Sequence, residues 1–231
     1  MVHPTHLNNA AVESIEAKDY ITAISTLTKA LKRVKLIMSG DAMVSENDTI
    51  DYENEMARPT FYCDFVCSTP SSSFERTFEN GGICSSSIFR NPIRLVHNLP
   101  RIELQRCELL SYVILYNLAL SYHLRAMDEE DENIRIACLE KALTLYEHAH
   151  HILSSQEIDV SLLHTMAIAS NLGHIHHVMG DERRAEMCFQ HLLSTILYVV
   201  DCGEGGKIEC LDGFFRNVMS LIGQSSSAPA A

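Results

Sequence analysis

Residues 171–189, NLGHIHHVMGDERRAEMCF, decide how this chain is read. Within them Asn171-Leu172-Gly173 is followed, twelve residues after the glycine, by Ala185, and then by Phe189 and Leu192 at helical spacing. Gly180-Asp181-Glu182 divides the stretch, and its Asp stands where a carboxylate accepts from the free N–H groups that open a helix. The stretch reads as two helices that cross through small residues, Gly173 on one and Ala185 on the other. Large side chains at those positions would hold the backbones apart.

The same ruler fits twice more. Asn9-Ala10-Ala11 is followed, again twelve residues after the small position, by Ala23, then Leu27 and Ala30. Asn117-Leu118-Ala119 is followed by Ala142, Tyr146 and Ala149, at a longer offset that includes the acidic run AMDEEDEN, suited to lengthening a connection between two helices. Lys18-Asp19-Tyr20 matches the turn at Gly180-Asp181-Glu182.

These three copies resemble the tetratricopeptide (TPR) family, in which antiparallel helix pairs pack through small residues at fixed positions. The family's large aromatic early in the first helix and its proline near the repeat end have no counterpart here. The resemblance implies a mainly α chain forming one TPR-like domain over 1–231: repeat one at 5–38, an acidic loop and β-hairpin insertion at 39–99, repeat two at 100–154, repeat three at 158–200, a capping helix at 207–222 and a tail at 223–231. It assigns repeat packing to Ala11, Ala23, Ala119, Ala142, Gly173 and Ala185. It also implies a concave groove lined by the first helix of each pair. Positions three before, one after and four after the small residue project onto that groove: Asn8, Val12 and Ile15, then Tyr116, Leu120 and His123, then Ser170, His174 and His177. A peptide or a partner helix is the expected ligand.

Between the first and second pairs, residues 39–60 carry six acids and one Arg with almost no helical apolar period, which predicts a solvated loop. FYCDFVC (61–67) and SSIFRNPIRLV (86–96) are β-prone, and the Pro-, Ser- and Gly-containing stretch between them breaks any helix. A small hairpin-like insertion follows, which needs support from the helices because an isolated pair of strands is marginal in water. It can fill the groove, in which case the binding surface lies elsewhere. Pro92 favours an edge or a bulge. The long helix that starts after Pro100 is apolar around most of its circumference, which predicts burial on several sides. KIECLDGFFRNVMSLI (207–222) is amphipathic, with Phe214, Val218 and Leu221 on one side, and suits a cap.

Composition narrows the partners. The 231 residues are 46% hydrophobic, and 18 Lys and Arg against 30 Asp and Glu give a net charge of -12. That balance offers no positive field for nucleic acid or anionic lipid. The opening MVHPTHLNNAA has neither a basic nor an apolar signal region, and eight cysteines without such a signal read as reduced residues of a cytoplasmic protein.

His174, His176 and His177 raise the question of a metal. His174 and His177 share a helical face with His123 on the neighbouring pair, so a zinc site of these three is the alternative reading of the groove. Without an HExxH motif or a nameable fourth ligand, no metal and no cofactor are expected. His148 and His151 share a face on a second helix, where solvent is the simpler environment. Cys63, Cys67, Cys84 and His97 form a looser cluster without a second paired-cysteine knuckle. The chain has no G-x-S-x-G elbow, no Gly-rich phosphate loop and no strand–helix alternation, so no catalytic residue is assigned. TPR domains that hold acidic chaperone tails use a clamp of basic residues and asparagines. The matching positions here are Asn8, Val12, Asn117, Ala167 and Asn171, which supply the asparagines without the cations and exclude that ligand.

Overall fold

A computed structural model describes residues 2–39, 63–65, 74–79, 82–95, 104–155, 162–203 and 211–224. Most of the acidic segment, the residues just before the second helix pair, Cys67, His97 and the end of the tail lie outside them, as do the side chains of Cys63, Cys84 and Leu221.

The first pair is α1 (Pro4–Glu16) and α2 (Tyr20–Met38), the second α3 (Leu104–Asp128) and α4 (Glu132–Ser155), and the third α5 (Leu162–Val178) and α6 (Glu182–Asp201); α7 (Leu211–Gln224) follows. Local sequence sets the turns. Lys18 (φ 60°) and Gly180 (φ 76°) take the left-handed conformation that ends a helix, an easy one for glycine and a strained one for lysine. Both turns then close alike: the Asp19 amide donates to Ser14 O and the Asp181 amide to His176 O, each at 2.8 Å. The same two aspartates cap the next helix, Asp19 accepting from the Thr22 amide at 3.1 Å and Asp181 from the Arg184 amide at 3.2 Å. In the second pair Asp131 accepts from the Asn133 and Ile134 amides ahead of α4.

Helices pack within each pair, and successive pairs meet through α2 against α3 and α4 against α5. Ala11, Ala23, Ala119 and Ala142 are fully buried and Ala185 is 1% exposed. Gly173 is buried against the ring of Phe189. α3 meets α1, α2, α4 and a strand, which accounts for an apolar surface all round it. Phe214 and Val218 of α7 are buried, and α7 packs on α6.

Four strands are described: β1 (Cys63–Phe65), β2 (Phe74–Glu79), β3 (Gly82–Phe89) and β4 (Ile93–Leu95). The two β-prone runs pair antiparallel, Cys63 opposite Leu95 and Phe65 opposite Ile93. The stretch between them differs from the sequence reading, which gives it no strand. β2 runs through it and pairs antiparallel with β3, Phe74 opposite Phe89 and Glu79 opposite Gly82. Asn80-Gly81 separates the last pair in sequence, and Asn-Gly between extended runs is a strong two-residue hairpin signal.

Residues 88–95 do not sit at the periphery. Ile88, Phe89, Ile93 and Leu95 belong to the same hydrophobic core as the helices. β3 packs on α5 and α7, and β4 on α1 and α3.

Candidate functional site

The face shared by α1, α3 and α5 holds residues 88–95, and three asparagines hold them by the main chain. Each occupies the same place on the sequence ruler, two residues before the small position. Asn9 on α1 accepts from the Leu95 amide at 3.0 Å and donates to Leu95 O at 2.8 Å. Asn117 on α3 accepts from the Ile93 amide and donates to Ile93 O, both at 2.8 Å. Asn171 on α5 accepts from the Phe89 amide at 2.8 Å and donates to Phe89 O at 3.0 Å. An asparagine amide has one acceptor oxygen and two donors, so it can complete the N–H and C=O of one extended residue and keep a donor free for another partner. Asn117 gives that second donor to Asn8 Oδ1 (2.9 Å) and Asn171 gives it to Tyr146 Oη (2.9 Å). Asn8 in turn donates to Ile93 O at 3.1 Å, and the Tyr116 hydroxyl reaches Asn91 O at 3.4 Å.

The clamped residues share one parity, because N–H and C=O groups of successive extended residues point to opposite sides. Arg94 lies between two of them and stands opposite Asp64 of β1, so the segment uses its two edges differently. Chain direction is fixed as well: Phe89 meets the third helix pair, Ile93 the second and Leu95 the first. The side chains add apolar contacts, with Phe89 stacked on Phe214 at 5.2 Å between ring centroids and an interplanar angle of 25°. Arg94 reaches Glu16 at 3.2 Å and Glu13 at 3.6 Å, at an exposed rim where such pairs contribute little to stability.

Residues 88–95 therefore fill the face expected to be the groove, the alternative that the sequence left open. Asn8 and Tyr116 contact the segment as described, whereas Val12, Ile15 and Leu120 lie buried in the core. Ser170 is turned to α7 and accepts from Asn217 Nδ2 at 2.7 Å. Asn9, Asn117 and Asn171, the residues that hold the segment, were not among the expected groove-lining positions, although Asn117 and Asn171 stand at the matching places of the chaperone-tail clamp; their repetition at one place on the ruler was the signal available.

The histidines are also placed differently. His123 Nε2 and His174 Nδ1 are 3.0 Å apart, both side chains are fully buried, and the His123 ring packs edge-on to Tyr146. Burial first, and the neighbouring His174 second, hold the His123 pKa well below its usual value. His177 does not join them. It turns to Glu182 at 3.2 Å on a more exposed side, while His176 points toward Asp181 at 3.9 Å and is pushed down in pKa mainly by burial. Among the described residues no group of three or more His, Cys, Asp and Glu side chains is placed to hold a metal ion. His148 and His151 are exposed, and His150 lies edge-on to His191 at 6.1 Å.

A pH dependence of stability follows. His123, His150 and His176 all have folded-state pKa values lowered from the ordinary value near 6.5. The unfolded chain then binds more protons in the window below that value, so this contribution to stability is present above about pH 6.5 and is lost as pH falls. Melting temperature should drop between pH 7.5 and 5.5, and His123→Gln should flatten the drop. A melting temperature that rises over this range would contradict the buried placement.

Comparison of the chain with protein-family models, curated proteins and solved structures gives no match.

Proposed function

We propose that the protein is a non-enzymatic interaction module of the cytoplasm, a TPR-like array of three helix pairs that takes an extended polypeptide along α1, α3 and α5. The observation that carries this reading is the clamp: three equivalent asparagines each complete one residue's main-chain N–H and C=O. Main-chain recognition of this kind suits an extended ligand. A helix keeps its own N–H and C=O groups bonded along its axis and would leave the asparagines unpaired. The net charge of -12 disfavours nucleic acid, and no helix among the described residues is long and apolar enough to cross a membrane.

A photo-crosslinking amino acid in place of Glu13, at the exposed rim beside the segment, tests the reading in cells. It should trap a second polypeptide, whereas the same group in place of His148 on the exposed side of α4 should not. Adducts at His148 and none at Glu13 would put the working surface on the outer helices and end the groove reading.

A further inference from the structure

We propose that the exposed face of α2 is a docking surface for an acidic segment of another protein, one whose carboxylates are flanked by aliphatic residues. This surface lies beyond the groove reading above and does not depend on it. α2 buries Tyr20, Ala23, Leu27, Ala30 and Val34, and it packs on α1 and α3. On the opposite side Ile21, Ser25, Lys29, Lys32 and Leu36 are exposed, at intervals of three and four residues that align them in one stripe. Two ammonium groups thus stand between two aliphatic side chains, Ile21 at 68% exposure and Leu36 at 47%. The two ends are about 22 Å apart along the helix axis. Lys35 is exposed beside the stripe.

Charge sets this helix apart. α2 holds Lys29, Lys32, Arg33 and Lys35 and no acidic residue. Elsewhere in the array cations are neutralised at close range: Arg135 pairs with Glu132 on α4, and Arg184 on α6 with the Asp181 that caps it. Lys29, Lys32 and Lys35 make no ion pair with a described residue, and Arg33 donates to Val2 O. Lys29, Lys32 and Lys35 follow one another at intervals of three, where like charges repel, and an acidic ligand replaces that repulsion with attraction. The cationic field is local. Residues 1–39 carry five basic and three acidic residues, and the rest of the chain carries 13 and 27. A broad polyanion such as nucleic acid or a lipid surface would meet the acidic remainder as well, whereas a short segment along α2 lies within the screening length of about 8 Å from the lysines. Phosphate also has nothing to offer Ile21 and Leu36, which aliphatic flanks of a protein segment would cover.

Fluorescence polarisation tests this with the full chain and a fluorescein-labelled peptide of about 16 residues, the span from Ile21 to Leu36, with leucine at both ends and glutamate at helical spacing between them. The unmodified chain should bind it, and raising the ionic strength from about 0.05 to 0.3 M should weaken binding. Lys29→Glu with Lys32→Glu should weaken it roughly tenfold or more. Ile21→Ser with Leu36→Ser should weaken it without changing the salt dependence. All four side chains are exposed, so both variants should keep their helical circular dichroism. Should the charge reversal cost helicity, Lys29→Gln with Lys32→Gln takes its place. A folded charge variant that binds as well as the unmodified chain overturns the proposal, and so does an unmodified chain that binds no peptide. Binding that appears only when residues 41–58 are deleted would make the chain's own acidic run the occupant and overturn the assignment of a foreign partner. Phosphatidylserine vesicles bound through the same lysines, with no loss in the serine variant, would make the ligand an anionic surface and equally end that assignment.

Discussion

Asn117→Ala should destabilise the fold by about 3–5 kcal/mol, because it strands two buried polar groups at roughly 1–3 kcal/mol each and leaves a small void. The Ile93 amide loses its acceptor and Asn8 Oδ1 loses its donor, while Ile93 O keeps its bond from Asn8. Both asparagines are fully buried, so water has no access to either group. Against a total stability of about 5–15 kcal/mol for a domain, that is a large share. Asn9→Ala, at a half-buried position where water can replace the side chain, should cost only about 1 kcal/mol. Urea unfolding of the two variants decides the matter. Equal, small losses would mean that the segment is not held as described.

Gly173 gives the second large effect, and its sign is set by competing terms. In the middle of a helix, replacing glycine with alanine ordinarily gains about 1 kcal/mol. Here a Cβ would lie 2.6 Å from Phe189 Cε1 and 2.8 Å from its Cζ, and Phe189 is only 2% exposed, so its ring has little room to retreat. Overpacking of about 1–3 kcal/mol exceeds the gain, so Gly173→Ala should be destabilising and Gly173→Leu more so. Phe189→Leu should recover part of the loss in the double variant, because it removes the ring edge that the new Cβ meets. Ala185→Leu should be destabilising on the same grounds of overpacking at a 1% exposed position. Thermal unfolding of Gly173→Ala at or above the unmodified melting temperature would show that this crossing has room to spare.

The helix pairs were legible because their determinants are local: small residues twelve apart in the first and third pairs and 23 apart in the second, and an aspartate after each turn. The occupant of the groove was not, because its contacts span 82 residues from Phe89 to Asn171 and 86 from Asn9 to Leu95. Sequence periodicity marks 86–96 as extended but carries no information about which surface receives it. The choice of groove positions failed for a geometric reason. Residues one and four after the small position, His174 and His123 among them, point into the interface between neighbouring helices, and the asparagines two before it turn toward the segment. Polar side chains repeated on helices as apolar as α3 were the overlooked clue, since a fully buried amide needs partners and the helix itself supplies none. Pro92 pointed the same way: a residue without an N–H is tolerated in a strand only where no ladder donor is required.

Residues 88–95 are held by the helices through their main chain, and amide hydrogen exchange at Phe89, Ile93 and Leu95 measures that directly. These three amides donate to Asn171, Asn117 and Asn9. Exchange at Phe89 and Ile93 should be as slow as in the buried turns of α3 and α5, with Asn117→Ala releasing Ile93 more than either neighbour. Exchange of all three amides at the rate of an unstructured peptide would contradict it.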